Sequence, residues 1–204
     1  MGKISRMGYL GLWMGLPILL AATHANGGRD PVVDQSFDAP LDLGASLNEG
    51  FVFTAQTYTA SITGRLAGVA VDVLAGGTFP LRVSIHSTRA GVPTARVLGE
   101  RTLTTNGSSL TEVITFPERI QQVSGKSYAI VLDYPTAPPH QGQATWAGVT
   151  GNPYPGGDYF ESDNAKTWSL DGSGGDLHFK TFVTRTRGED DDDIDHDGVD
   201  DDCR

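Results

Sequence analysis

Between Leu66 and Ser87 two alternating runs flank a Gly-Gly step. In the first, Val69, Val71 and Val73 fall on one face with Gly68, Ala70 and Asp72 on the other, and in the second Leu81, Val83 and Ile85 alternate with Arg82, Ser84 and His86. Period-two alternation of β-branched residues, bounded by Gly and Pro, specifies strands that each bury one face. The short link Ala75-Gly76-Gly77-Thr78-Phe79-Pro80 predicts that the two runs pair antiparallel. A sheet that is wet on one side needs a second layer against the other, so this pair predicts a β-sandwich rather than a parallel sheet covered by helices.

The remaining body reads the same way. Strands are predicted at Val32–Phe37, from Phe51 through Tyr58, at Ser127–Tyr134, Ala144–Val149, Asp158–Ser162 and Ala165–Trp168, and finally across Leu177, Phe179, Thr181 and Val183. Val97–Leu103 and Leu110–Phe116 flank Asn106-Gly107, a step that predicts a hairpin between them. Ala39–Glu49 reads as polar and irregular, Ser87–Pro93 as a turn, and Pro117–Val123 as the one stretch suited to a helical turn. Roughly eight to ten short strands with turns between them predict an all-β, antiparallel, jelly-roll-like sandwich. The apolar run Ser127–Tyr134, closed by Gly125 and Pro135, is expected at its centre.

Both ends differ from this body. Lys3 and Arg6 precede an apolar stretch, Met7–Ala22, and Thr23-His24-Ala25 supplies small residues where a signal peptidase cuts, so residues 1–25 read as a signal peptide. The stretch is interrupted by glycines and Pro17 and falls short of the roughly 20 residues a membrane span requires. The domain expectation is therefore a signal at 1–25, a linker at 26–31, the sandwich at 32–185 and an acidic tail at 186–204, in a secreted or surface-exposed protein. Residues 189–202 carry ten of the acidic side chains and no Lys or Arg, so most of the formal charge of −10 belongs to the tail. No basic face remains for nucleic acid. The single cysteine, Cys203, rules out an intrachain disulfide and leaves an intermolecular one, a disulfide-linked dimer, as the alternative for it.

Within this frame a family resemblance emerges. The succession Ala55–Ala60 (AQTYTA), Ile62–Leu66, Leu81–Leu98 (LRVSIHSTRAGVPTARVL), Gly125–Leu132 (GKSYAIVL), Tyr154–Trp168 and Asp176–Val183 (DLHFKTFV) resembles the bacterial extracellular β-sandwich modules known as choice-of-anchor domains. The resemblance implies a secreted or surface-displayed jelly roll with no catalytic residues to carry over. No sorting helix follows the body here, which departs from the family pattern.

The tail holds the clearest chemical spacing. Asp193, Asp195, Asp197 and Asp201 occupy positions one, three, five and nine of a loop with Gly198 at six and the Val199 carbonyl at seven, which aims oxygens at one hard cation such as Ca²⁺. The stretch resembles a thrombospondin type 3 repeat, with Cys203 where such repeats place a cysteine, but Arg204 stands at position twelve in place of an acidic ligand. An acidic tail that attracts cations diffusely is the competing reading.

In the body, Trp146, Tyr154, Tyr159 and Trp168 cluster around Asn152, Asp158 and Asp163, and are the candidates for a sugar-binding platform. Ordinary core packing is the competing reading. Of these, Tyr154 and Tyr159, in or beside a turn, are expected to be the more exposed.

Catalytic patterns are absent from the sequence. His86 and His178 sit at outward strand phases without metal-ligand spacing, and there is no Gly-x-Ser-x-Gly elbow. Val123–Ser127 imitates the end of a phosphate loop, yet Ile120 replaces the upstream glycine and a strand follows. The expectation is a non-catalytic module for adhesion, matrix or carbohydrate binding, against a purely structural spacer or a small glycan-active enzyme using carboxylates such as Asp158 and Glu161. Calorimetry with Ca²⁺ tests the tail: a saturable isotherm in the intact chain should vanish in Asp195→Asn/Asp197→Asn, and an identical trace in both would mean there is no organised site.

Overall fold

The structure is a computed structural model that describes residues 30–47, 53–135 and 142–185. The signal segment, the acidic tail with its cation motif, and Cys203 lie outside the described residues. Among the described residues there is no helix and none long or apolar enough to cross a membrane.

Among the described residues fourteen strand segments follow one another: β1 (Val32–Phe37), β2 (Leu43–Leu47), β3 (Phe53–Thr59), β4 (Gly64–Val71), β5 (Val73–Gly76), β6 (Pro80–Arg89), β7 (Val92–Thr104), β8 (Gln121–Gln122), β9 (Ser127–Asp133), β10 (Gln143–Val149), β11 (Tyr159–Ser162), β12 (Ser169–Leu170), β13 (Asp176–Leu177) and β14 (Phe179–Arg185). A six-stranded sheet, β12-β11-β3-β9-β6-β7, forms one layer. The other consists of two four-stranded sheets, β1-β14-β4-β8 and β13-β10-β2 with β5 also on β10. These two run into one another where β4 continues as β5 and β13 as β14, and Ala147 bridges the junction by donating to the Asp72 carbonyl and accepting from His178 N–H. All strand pairings are antiparallel, and the molecule is the all-β sandwich the alternation predicts.

The organising pair departs from expectation in one respect. β4 pairs with β14 and β8, while β6 pairs with β7 and β9, so the two valine-rich runs do not form a hairpin. The chain breaks at Asp72, runs along β10 as β5, and crosses to the other layer through Gly77, whose φ is 132°. Val69, Val71 and Val73 then meet Leu81, Val83 and Ile85 across the core, all at 3 % exposure or less. Alternation fixes which face is buried, and both placements bury the same face.

A second expected hairpin also fails. Beyond Asn106-Gly107, where the Asn106 side chain accepts from Ser108 N–H, the chain leaves the six-stranded sheet. Leu110 and Ile114 bridge to Val73 and Val69 of the opposite layer instead of pairing with β7. The hairpin in this region is β6–β7, closed by Ala90 and Gly91 with φ of 52° and 81°, the left-handed pair a two-residue turn needs. Ala165–Trp168 is likewise an irregular loop rather than a strand, Pro117–Val123 forms no helical turn, and β2 arises inside the segment read as irregular. β9 lies between β3 and β6 at the centre of its sheet, as its composition predicts.

Burial separates chemically identical side chains. Leu81 is fully buried and Leu74 is 50 % exposed. Leu81→Ala should therefore cost about 2–5 kcal/mol in denaturant unfolding, whereas Leu74→Ala should stay within about 0.5 kcal/mol of the parent.

Candidate functional site

The inner face of the six-stranded sheet is core, and its outer face is where the alternation places Arg82, Ser84 and His86 of β6, Ala129, Val131 and Asp133 of β9, and Phe53 and Ala55 of β3. An outer face of a sandwich is ordinarily wet. Here Ser84, His86 and Asp133 are each under 5 % exposed, and Ala55, Ala129, Val131 and Phe160 form a small second apolar cluster with Phe53 and Trp168 packed on it.

Two covers cause this. One is a bulge in β7: between the pairs His86–Val97 and Thr88–Pro93, one residue of β6 faces three of β7. The bulge turns the Thr94 carbonyl toward the imidazole, 2.7 Å from Nδ1. The other cover is the loop from Ser162 to Trp168. The Ser162 hydroxyl donates to the Thr167 carbonyl and accepts from the amides of Asn164 and Ala165, and Asn164 Oδ1 accepts from the amides of Lys166 and Thr167. Trp168 thereby stands edge-on to Phe53 and His86, each ring centroid 6.5 Å away.

Between these covers is a cleft of about 240 Å³ lined by Phe53, Arg82, Ser84, His86, Ala95, Val97, Glu100, Asp133, Asn164, Ala165 and Lys166. Its polar groups are fixed in advance. Arg82 donates from Nε to Asp133 Oδ1 at 2.9 Å and from Nη2 to Oδ2 at 2.6 Å, a two-pronged pair. Burial pushes the Asp133 carboxyl up, with Arg82 pulling against it, and the same hydrogen bond raises the guanidinium. Because the Thr94 carbonyl only accepts, His86 carries its proton on Nδ1, and Nε2 accepts from the Ser84 hydroxyl at 3.0 Å. That is a nucleophile-and-base spacing, in two side chains that are 2 % and 4 % exposed.

A second cleft, of about 210 Å³, sits at the sheet junction against Phe37, Asp72, His178 and Lys180. His178 Nδ1 lies 3.6 Å from Asp72 Oδ2, and the His178 Nε2 has no partner but is itself covered. That cleft offers a ligand mainly apolar wall.

The four candidate aromatics do not converge. Trp146 is fully buried in the core and donates from Nε1 to the His178 carbonyl at 2.8 Å. Tyr154 and Tyr159, expected to be the more exposed, are buried at 7 % and 2 %. Tyr154 packs on Phe37 and Phe179, donates to Gln35 Oε1, and burial pushes its hydroxyl up to about 12. Tyr159 donates to Glu161 and is raised further by the same cause. Turn-rich sequence around them says where the backbone bends, not which way a ring points. Only Trp168 reaches the outer face, half-buried beside the cleft.

The residues that sequence reading missed are Arg82, Glu100, Asp133, Asn164 and Lys166. The available signal was a basic and a hydroxyl residue at the outward phase of a strand that runs beside the most buried one. The metal-motif residues Asp193, Asp195, Asp197, Val199 and Asp201 lie outside the described residues, and no group of potential ligands suited to a metal occurs among the described ones.

No family model and no curated protein matches the sequence. The structure is similar to a crystal structure of the cysteine protease and lectin-like domains of Cwp84, a surface layer associated protein of Clostridium difficile. The TM-score is 0.53 at 17 % sequence identity, and the match spans 77 % of this chain but only 36 % of that one. What the two share is the β-sandwich fold of the lectin-like domain.

Burial holds the His86 imidazole below its usual 6.5, while the Thr94 carbonyl and the charges of Asp133 and Glu100 pull it up and Arg82 opposes them. A depressed folded-state value contributes stability that is complete above pH 6.5 and is lost as pH falls toward the folded value. Between pH 7.5 and 5 the melting temperature of the parent should therefore drop more than that of His86→Gln, and parallel slopes would contradict this assignment.

Proposed function

We propose that the protein is a non-catalytic, surface-associated carbohydrate-binding module whose ligand enters the cleft on the outer face of the six-stranded sheet. The observation that carries this reading is the set of pre-positioned polar groups there: Arg82 braced by buried Asp133, with Asn164 and Lys166 on the covering loop, beside the apolar wall of Phe53 and Val97. Small-molecule sites combine apolar lining with a few fixed polar groups in this way. The lectin-like fold of the similar structure supports the same reading.

The reading makes the module a binder because every ionisable side chain on the cleft floor already has a protein partner: Asp133 holds Arg82, and His86 is held by Ser84 and Thr94. The Asp193–Asp201 spacing adds, in the same proposal, a weak Ca²⁺-binding tail outside the sandwich.

A polysaccharide pull-down with the full chain tests the location. Val97→Trp, which fills the cleft, should weaken binding at least tenfold, while Leu74→Trp on the other layer should leave it unchanged. Binding that both variants retain would move the site elsewhere, and a chain that captures no polysaccharide would overturn the function.

A further inference from the structure

The guanidinium of Arg82 has five N–H groups. Two are committed to Asp133, which fixes the plane of the group and leaves Nη1 turned to Glu100. Nη1 and Glu100 Oε2 are 3.6 Å apart, beyond a hydrogen bond, and the two side chains are 30 % and 46 % exposed. A fixed donor therefore stands side by side with an acceptor-only carboxylate, in an ion pair too long for a direct hydrogen bond, so one ligand that both donates and accepts can engage the two together.

We infer that this side-by-side pair is where the cleft holds a vicinal diol of a neutral sugar, one hydroxyl accepting from Arg82 and its neighbour donating to Glu100. The inference rests on the carbohydrate-binding reading above and names its ligand class. A sugar hydroxyl both donates and accepts, so two adjacent ones satisfy a donor and an acceptor that cannot quite reach each other.

Charge favours a neutral partner. The charged side chains lining the cleft balance, Arg82 and Lys166 against Asp133 and Glu100, and burial disfavours the charged form of His86, so a carboxylated or sulfated sugar gains no net attraction and must approach Glu100. Size points the same way. About 240 Å³ is below the roughly 300 Å³ at which pockets accept drug-sized molecules, which suits one sugar ring rather than a buried chain. Phe53 and Val97 give the C–H face of that ring an apolar wall.

The test uses the full chain and immobilised polysaccharides of three kinds: neutral, uronic-acid-containing and sulfated. Neutral polymers should bind best, and mild periodate, which cleaves the carbon–carbon bond of vicinal diols to give two aldehydes, should abolish capture of the same polymer. Glu100→Gln, which keeps shape but replaces an acceptor oxygen with a donor, should weaken binding tenfold or more while melting with the parent. Capture that survives periodate, or that prefers acidic polymers and is lost in Lys166→Ala, overturns the diol while leaving the glycan-binding reading intact. Capture of none of the three removes both.

Discussion

Apolar faces attract without direction, so two hydrophobic layers are free to slide until something directional fixes their offset. In this sandwich that role falls to Gln56 and Asp176, both fully buried. Gln56 Nε2 donates to Asp176 Oδ1 at 2.9 Å, Gln56 Oε1 accepts from Leu177 N–H at 2.7 Å, and Asp176 Oδ2 accepts from Tyr154 N–H at 2.8 Å. Burial pushes the carboxyl up, and the Tyr154 amide and Gln56 pull it back. A carboxylate this deep is tolerated only with such partners. The contact ties β3, next to the centre of the six-stranded sheet, to β13 in the other layer and to the turn at Tyr154 between β10 and β11, and so sets which inward side chains meet.

With the inner faces locked, the outward phase of β6 and β9 has a fixed address, and the cleft is a consequence of what covers it. The bulge of β7 and the Ser162–Trp168 loop convert ordinary solvent-facing positions into a partly dry recess. Polar groups in such a recess hold each other rather than water, so they are in place before any ligand arrives, and the ordering entropy is already met by folding.

The sequence was legible where a signal is local and unambiguous. Val32–Phe37 forms a strand with the expected bounds, and the apolar run from Ser127 lands at the centre of its sheet because both its faces are buried. It was illegible where a local pattern leaves the partner open. Val69 and Val83 announce their buried face but not that they sit in different sheets, and Asn106-Gly107 announces a turn but not that the chain then changes layers. Leu43–Leu47 escaped notice because Gly44, Ala45 and Ser46 carry no strand-forming side chains, and Gly44 is needed where Thr145 presses from β10. The cleft depends on Arg82, Glu100 and Asp133, brought together from three strands by pairing register, which no spacing within one segment encodes.

The pairing of β1 with β14 places Val32 opposite Val183, so the two ends of the described body emerge side by side from one edge of the sandwich. Tension drawn between those ends would act across the ladder one rung at a time, as on a zipper, rather than on all its hydrogen bonds together in shear. The first element to peel would be β1, whose Asp34 carboxylate accepts from Gln122 and from the amides of Ser61 and Ile62. Mechanically, the fold has a soft seam at its tether and a stiff far side, where the six-stranded sheet would carry none of the load.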